Sequence, residues 1–151
     1  MKKYLSIIGL LFIITSSFKS ASELTWNDFD SGYKLAKKKK KIMLVDVYTD
    51  WCGWCKVMDR ETYAKDNIIQ AIEKDYIAIK FNPEIQNVKY TYEGKTYTGQ
   101  ELAGAISENQ LRGYPTTVFI NPANKKVTVI AGYKNPQEFI QLLNTIKTDL
   151  K

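Results

Sequence analysis

The sequence predicts an α/β protein, a sheet with helices packed on its faces. Two apolar runs of strand length, 42–48 and 76–82, show almost no polar alternation, as strands buried on both faces do. Segments of helical periodicity precede, separate and follow them. A hairpin-like pair of strands and a closing amphipathic helix complete the chain, and that element order belongs to a sheet with helices on its faces.

The elements can be justified in order. The first 22 residues begin with Lys2 and Lys3, continue as an apolar run over 4–14 and end in small polar residues. That is the layout of a secretory leader. Its apolar core is about half the ~20 residues that a membrane-spanning helix needs. Ser20 and Ser22 form a small-x-small site, so cleavage before Glu23 is expected, with 1–22 a signal peptide and 23–151 one domain exported to the periplasm. A retained N-terminal anchor is the alternative.

Trp26, Phe29, Tyr33 and Ala36 recur at helical spacing, with Asn27 or Asp28 as the cap and Gly32 as an irregularity within the helix. Residues 42–48 form the first strand. A helix runs from the cysteine motif through Val57 and Met58 toward Tyr63, and "NIIQAIEKD" is another. After the strand at 76–82, residues 88–98 alternate and turn at Glu93 and Gly94, which predicts a hairpin or an ordered loop. "GQELAGAISENQL" reads as a helix, and "TTVFI" and "KVTVIAGY" as strands joined by a turn at Asn121, Pro122 and Asn124. The last helix is capped by Asn135, with Pro136 in its first position.

The formal charge is +6, but the leader holds three of the lysines and no acid, leaving 19 bases against 16 acids. Five lysines form the run 37–41. Such a run suits nucleic acid or an anionic membrane. It also suits the C-terminal end of a helix, where cations complement the dipole. The helix-end reading is preferred, and no nucleic-acid partner is expected.

The chain holds two cysteines, Cys52 and Cys55, and no histidine. Three uses compete. A structural disulfide over so short a loop removes little unfolded-state entropy, worth roughly 2 kcal/mol on the chain-entropy model. Structural zinc wants four ligands, mostly Cys or His, which one chain does not supply, so no metal or other cofactor is expected. Dithiol–disulfide exchange fits best. The motif lies where an apolar strand ends and a helix begins, so Cys52 meets the unpaired N–H groups that stabilise a thiolate. Cys52 is then the exposed nucleophile of lower pKa, and Cys55, nearly one turn further in, the buried resolving thiol.

Without histidine, the proton acceptor must be something else. Asp46 is the one charge within "IMLVDVY", on the face of Ile42, Leu44 and Tyr48. Burial there raises a carboxyl pKa and suits it to accept the Cys55 proton near neutrality. The alternative is a structural acid bonded at a strand end. Lys80 interrupts "YIAIKFN" in the same way. It either approaches Asp46 or snorkels to the surface.

These residues resemble the thioredoxin family over most of the chain, from about residue 42 to 150. "VDVYTDWCGWCK" is similar to the family pattern of a strand with a buried Asp, Trp before the first Cys, Gly after it and Lys after the second. "IKFN" resembles the strand that carries a lysine beside that aspartate, and "GYPTTVFI" the loop opposite the disulfide. The resemblance implies a thioredoxin-like fold: a central mixed sheet with helices on both faces, an N-terminal helix extension and a hairpin-like insertion before the proline loop. It implies that Pro115 is cis, that the Tyr114 backbone pairs with substrate, and that Trp51, Gly53 and Trp54 border the bound segment. Trp54 stands where thioredoxin itself has proline, which is closer to exported thioredoxin-like reductases. The segment 84–109 exceeds what the family core needs and carries Tyr90, Tyr92 and Tyr97; it either covers substrate or braces the sheet.

Gly53 and Trp54 bring no charge between the sulfurs, so Cys52 is expected to be only moderately acidic, and the protein a reductant or isomerase acting on protein or peptide disulfides. A reductant outside the cytosol needs electrons delivered, which implies a membrane-embedded thiol relay upstream. The competing class is a non-catalytic binding or chaperone module whose apolar patch is Trp51, Trp54 and Tyr114.

Overall fold

The computed structural model describes residues 23–151, and the expected leader at 1–22 lies outside them. The first regular element is helix α1, Phe29–Lys39. Its cap is Asp28, whose side chain accepts from the Ser31 amide. Asn27 has a different task. Its backbone bridges to Ile79 in parallel, donating to the Ala78 carbonyl and accepting from the Lys80 amide, so the chain entering α1 lies along a strand edge. Three lysines occupy the last turn, and Lys40 ends the helix in the left-handed region at φ 53°, so the basic run does sit at a helix C-terminus.

Four strands make the main sheet, in the order β2-β1-β5-β6. They are β1 (Ile42–Val47), β2 (Tyr76–Phe81), β5 (Thr116–Ile120) and β6 (Val127–Ala131). β1 pairs in parallel with β2 and antiparallel with β5, and β5 pairs antiparallel with β6. The sheet is therefore mixed. Every residue of β1 is buried, as its unbroken apolar run predicts. β6 lies at the edge and is only partly buried; it is shorter than the predicted 126–133, because Gly132 leaves the ladder at φ 79°.

Between the strands lie α2 (Gly53–Met58), α3 (Asp66–Asp75), α4 (Gly99–Ile106) and the closing α5 (Pro136–Asp149). After α2 the chain continues as a π-helical turn over Asp59–Tyr63. α4 stops earlier than its apolar pattern suggests. Ser107 bonds back to the Ala103 carbonyl, and Glu108 and Asn109 both turn left-handed. Asn135 caps α5 by accepting from the Glu138 amide.

The alternation along β1 divides the core in two. Ile42 and Leu44 pack with α3 and α5 on one face, through Ile68, Ile72, Phe139 and Leu143. Met43, Val45 and Val47 pack with α1 and α4 on the other, through Phe29, Ala36, Leu102 and Ile106. Each fully buried side chain of this size contributes about 1.5–3 kcal/mol. Gly32, irregular in the sequence, is explained here. A Cβ on it would lie 2.3 Å from Ile79 Cγ1, so α1 crosses β2 where only glycine fits.

β3 (Tyr90–Tyr92) and β4 (Lys95–Tyr97) form a separate hairpin. Glu93 and Gly94 both have positive φ, the backbone of a two-residue turn between twisted strands. The Tyr92 ring meets Phe29 and Tyr33 at 5.9 and 5.2 Å, and Tyr33 donates to Glu93 at 2.7 Å. The hairpin braces α1. Among the described residues no helix is long and apolar enough to cross a membrane.

Candidate active site

The end of β1 delivers the chain to Thr49, and Cys52 caps α2. The Cys55 amide donates to Cys52 Sγ at 3.1 Å, and the two sulfurs are joined in a disulfide. The first turn of α2 carries no acid. The free N–H groups of that turn therefore act on sulfur without a competing carboxylate.

One expectation is corrected. In this disulfide-bonded state Cys52 is not the exposed member of the pair: it is 4% accessible and Cys55 3%. The reason is local. Cys52 Sγ is drawn inward by its bond to Cys55 and by the amide it accepts from. Gly53, next to it, is exposed, and a Cβ there would meet open space. No packing demand explains that glycine.

Asp46 and Lys80 are direct register partners on β1 and β2. Asp46 is 1% exposed, and Lys80 Nζ donates to its Oδ2 at 2.5 Å. Lys80 thus turns toward the aspartate rather than out to the surface. It also pairs with Asp59, which the sequence reading did not single out. The rings of Trp26, Tyr48 and Tyr63 lie 4.7, 5.1 and 5.5 Å from the ammonium, within cation–π range.

Burial raises the Asp46 pKa, and the Lys80 charge offsets that only in part. Asp46 Oδ1 has no hydrogen-bond partner among the described residues, which further disfavours the ionised form. Burial works against the Lys80 ammonium as well, yet the Asp46 and Asp59 carboxylates outweigh it and hold its pKa above the ordinary value. Tyr63, packed between Trp26 and Phe139, is held neutral by burial and by the charge of Asp46.

The outer surface of the site is aromatic. Trp51 and Trp54 are 68% and 62% exposed. Trp51 packs edge-on against Tyr114 at 5.7 Å and donates from Nε1 to Glu84 at 2.9 Å. Trp54 lies 5.4 Å from Tyr133, whose hydroxyl donates to Glu61 at 3.2 Å. The Tyr114–Pro115 bond is cis, and the Pro115 carbonyl accepts from Gly132 at 2.8 Å. Trp54, Tyr114, Pro115, Gly132 and Tyr133 line a cavity of about 360 Å³.

The thioredoxin-like domain family matches residues 29–147. The chain belongs to the thioredoxin-like family. Among curated relatives it is 23% identical to the thiol:disulfide interchange protein DsbD of Yersinia pestis, strain Pestoides F, over 72% of this chain and 16% of that one. It is 25% identical to a protein disulfide-isomerase of Medicago sativa, over 97% of this chain and 27% of that one. It thus spans well under a third of either relative. Among solved structures, a thioredoxin from Thermus thermophilus superposes with a TM-score of 0.64 at 20% identity, covering 83% of this chain and 88% of that one. That likeness shows the fold.

The structure brings Cys52, Cys55, Asp46, Lys80, Trp51, Trp54, Tyr114 and Pro115 to one end of the sheet. Sequence reading missed Asp59, Tyr63, Tyr133 and Glu84. Asp59 had a signal: its amide donates to the Cys55 carbonyl, one turn on, so it follows Cys55 at the i,i+4 spacing that shares a helix face. Tyr133 and Glu84 had none, because they reach the site from separate loops.

Proposed function

We propose that this thiol–disulfide oxidoreductase reduces or isomerises disulfides of exported proteins. The observation that carries the reading is Cys52 Sγ held at the mouth of α2 and bonded to Cys55, just after a strand that bears a buried carboxyl group paired with a lysine.

In the reduced chain, the Cys52 thiolate attacks one sulfur of a substrate disulfide. A mixed disulfide forms, and the other substrate sulfur leaves as a thiolate and takes a proton. Cys55 then gives its proton to Asp46 and attacks Cys52 Sγ, and the second substrate sulfur leaves as a thiolate that takes up a proton from solvent. Two electrons pass to the substrate, and the Cys52–Cys55 disulfide is formed. Asp46 suits the second step because burial brings its pKa up toward that of a working base. Lys80 keeps that carboxyl from being neutral throughout. Exposed Gly53 and the Tyr114–Pro115 loop are assigned here as the path of the substrate segment, in keeping with the family resemblance.

The direction of flow follows from charge. When Asp46 is ionised, it and Asp59 face one ammonium, so the group then carries net negative charge, and Asp59 stands one turn beyond Cys55. A further thiolate is less welcome there than in strong oxidants, which stabilise their reduced form. We therefore assign the chain to reductants or isomerases, recharged by a membrane thiol relay outside the cytosol, with 1–22 as its export signal. A reduction potential near −120 mV, the range of a strong oxidant, contradicts that direction.

The experiment is catalysed insulin reduction by dithiothreitol. Cys52→Ser abolishes it, and Cys55→Ser traps mixed disulfides with natural substrates. The exposure of Trp51 and Trp54 favours one second reading, a non-catalytic peptide-binding module. On that reading Cys52→Ser leaves client binding intact and the wild type shows no turnover.

A further inference from the structure

We infer that the end of the sheet away from the cysteines is a docking surface for a bilayer of anionic lipid. The inference rests on the export reading and is independent of the cysteine chemistry.

The surface is assembled from four separate parts of the chain. β1 starts at Ile42 and β2 at Tyr76, side by side in the ladder, and Cys52 follows the opposite end of β1. At the starting end the lysine run 37–41 closes α1 and Lys74 closes α3. Lys126 comes from the turn between β5 and β6, and Lys147 and Lys151 from the end of α5 and just beyond it. Lys40, Lys74, Lys147 and Lys151 line one cavity of about 220 Å³, so these distant segments do meet. The acids on the same segments are Glu73, Asp75 and Asp149. Lys147 pairs with Asp75 at 2.8 Å, and at the margin Lys125 pairs with Glu93 at 2.6 Å.

Helix dipoles account for part of this charge. A cation helps a helix C-terminus only from its last turn. Lys41 and Lys126 donate to the Glu73 and Asp149 carbonyls and so close the ends of α3 and α5. Lys38, Lys39, Lys40, Lys74 and Lys151 are exposed and meet no acid within ion-pair distance among the described residues. Gathered like charges repel, so this surplus weakens the folded chain. An anionic partner outside the chain removes that repulsion.

The side chains present select the partner. The two arginines, Arg60 and Arg112, belong to other segments, and so do the exposed large apolar side chains of the described residues, Trp51, Trp54, Ile85 and Val88. Arginine forks read base edges, and aromatic rings stack on unpaired bases or anchor protein interfaces. This end offers neither. Lysine is a hydrated point charge on a flexible stem. Many lysines without rings fit a field of headgroup phosphates, which need not be held in register. An exported chain meets such lipid at the membrane it crosses. Docked by this end, the chain turns Cys52 and Cys55 away from the lipid and stays beside the proposed membrane relay.

Co-sedimentation tests this with vesicles of equal parts phosphatidylcholine and phosphatidylglycerol against vesicles of phosphatidylcholine alone. The exported protein is used, with its N-terminus read by mass spectrometry. Wild type is expected to partition onto the mixed vesicles and to ignore the neutral ones. It is expected to leave the mixed vesicles at about 1 M salt, where the screening length falls to about 3 Å. Lys40→Gln with Lys74→Gln is expected to lower the partition about twentyfold, about fivefold for each lysine near an anionic surface. Lys65→Gln with Lys134→Gln removes the same charge elsewhere and is expected to change it by less than about twofold, because screening confines the effect to nearby charges. Both double variants are expected to keep the wild-type circular dichroism and insulin reduction. Equal binding to both kinds of vesicle, no binding to the mixed ones, or an equal loss in the two variants overturns the assignment. A short DNA duplex that binds where mixed vesicles do not makes this end a nucleic-acid surface and overturns it as well. Insulin reduction without vesicle binding sinks only the docking surface, and vesicle binding without insulin reduction sinks only the reductase reading.

Discussion

Lys80→Met removes the counter-charge of a carboxyl group that is 1% exposed, while keeping an apolar stem among Trp26, Tyr48 and Tyr63. Asp46 is raised in the folded chain by burial. The native state therefore holds its proton to higher pH than the unfolded chain, whose aspartates titrate near about 3.9. The stability which that proton contributes is complete below the unfolded value and is lost as pH rises toward the folded one. Without Lys80 the folded value moves further up. The gap between variant and wild type then opens as pH rises from the wild-type folded value to that of the variant. Removing one partner of a buried ion pair costs about 3–5 kcal/mol where the survivor is ionised. The loss at low pH, where Asp46 is protonated, is that of the cation–π contacts and of the half-exposed Asp59 pair, on the order of 1–2 kcal/mol. Lys80 itself is raised by the two carboxylates against the effect of burial. Its own contribution is thus intact below about 10.4 and does not vary across the test. Urea unfolding of the disulfide-bonded chain at pH 3 and pH 8 reads the difference, with an expected extra loss of about 2 kcal/mol at pH 8. An equal loss at both values refutes the claim that Lys80 acts on Asp46 through charge. Tyr63 and the Tyr48 ring are unchanged in both proteins, while Asp59 also loses its ion-pair partner, so the same comparison in an Asp59→Asn background isolates the effect on Asp46.

Two further expectations follow from the same geometry. Asp46→Asn is expected to leave attack on substrate nearly intact and to slow release of the mixed disulfide by about 10²-fold or more, the general-base contribution; quenched-flow trapping of the mixed disulfide shows this, and the rise of the wild-type release rate with pH should vanish in the variant. Gly32→Ala places a Cβ 2.3 Å from Ile79 and should cost about 1–3 kcal/mol in thermal or urea unfolding, because a buried branched side chain cannot step aside.

How far the sequence was legible depends on the range of the interactions. β1 and β2 were readable because a strand buried on both faces advertises itself as an unbroken apolar run. The cap at Asn135 and the turn at Glu93 and Gly94 were readable because each is a contract among neighbours within four residues. The cap of α1 was only half readable: Asn27 and Asp28 are both good caps, and the choice fell to Asp28 because Asn27 is committed to Ile79, 52 residues away. The ends of β6 and α4 were misjudged for a related reason. Apolar pattern continues past them, but Gly132 and the left-handed pair Glu108 and Asn109 turn the backbone away.

The same logic separates the two halves of the site. The half proposed to do chemistry is written in one strand–helix junction, from Asp46 to Cys55, with Lys80 supplied by the adjacent parallel strand. A charge inside an apolar strand is costly unless paired or led out to water, so the sequence left Lys80 either beside Asp46 or at the surface, and the register with its ion pair puts it beside Asp46. Asp59 completes that half. It adds a second carboxylate to one ammonium, and the surplus negative charge is what turns the proposed flow of electrons toward the substrate. The half that faces substrate is not written in any one segment. Trp51 meets Tyr114 and Glu84, and Trp54 meets Tyr133, across loops separated by more than thirty residues. An exposed aromatic in a loop bears no mark of its partner, because water satisfies it equally well in the unfolded chain. Chemistry at this site is therefore constrained locally and was readable, while selectivity is assembled by the fold and becomes visible only when the loops are placed side by side.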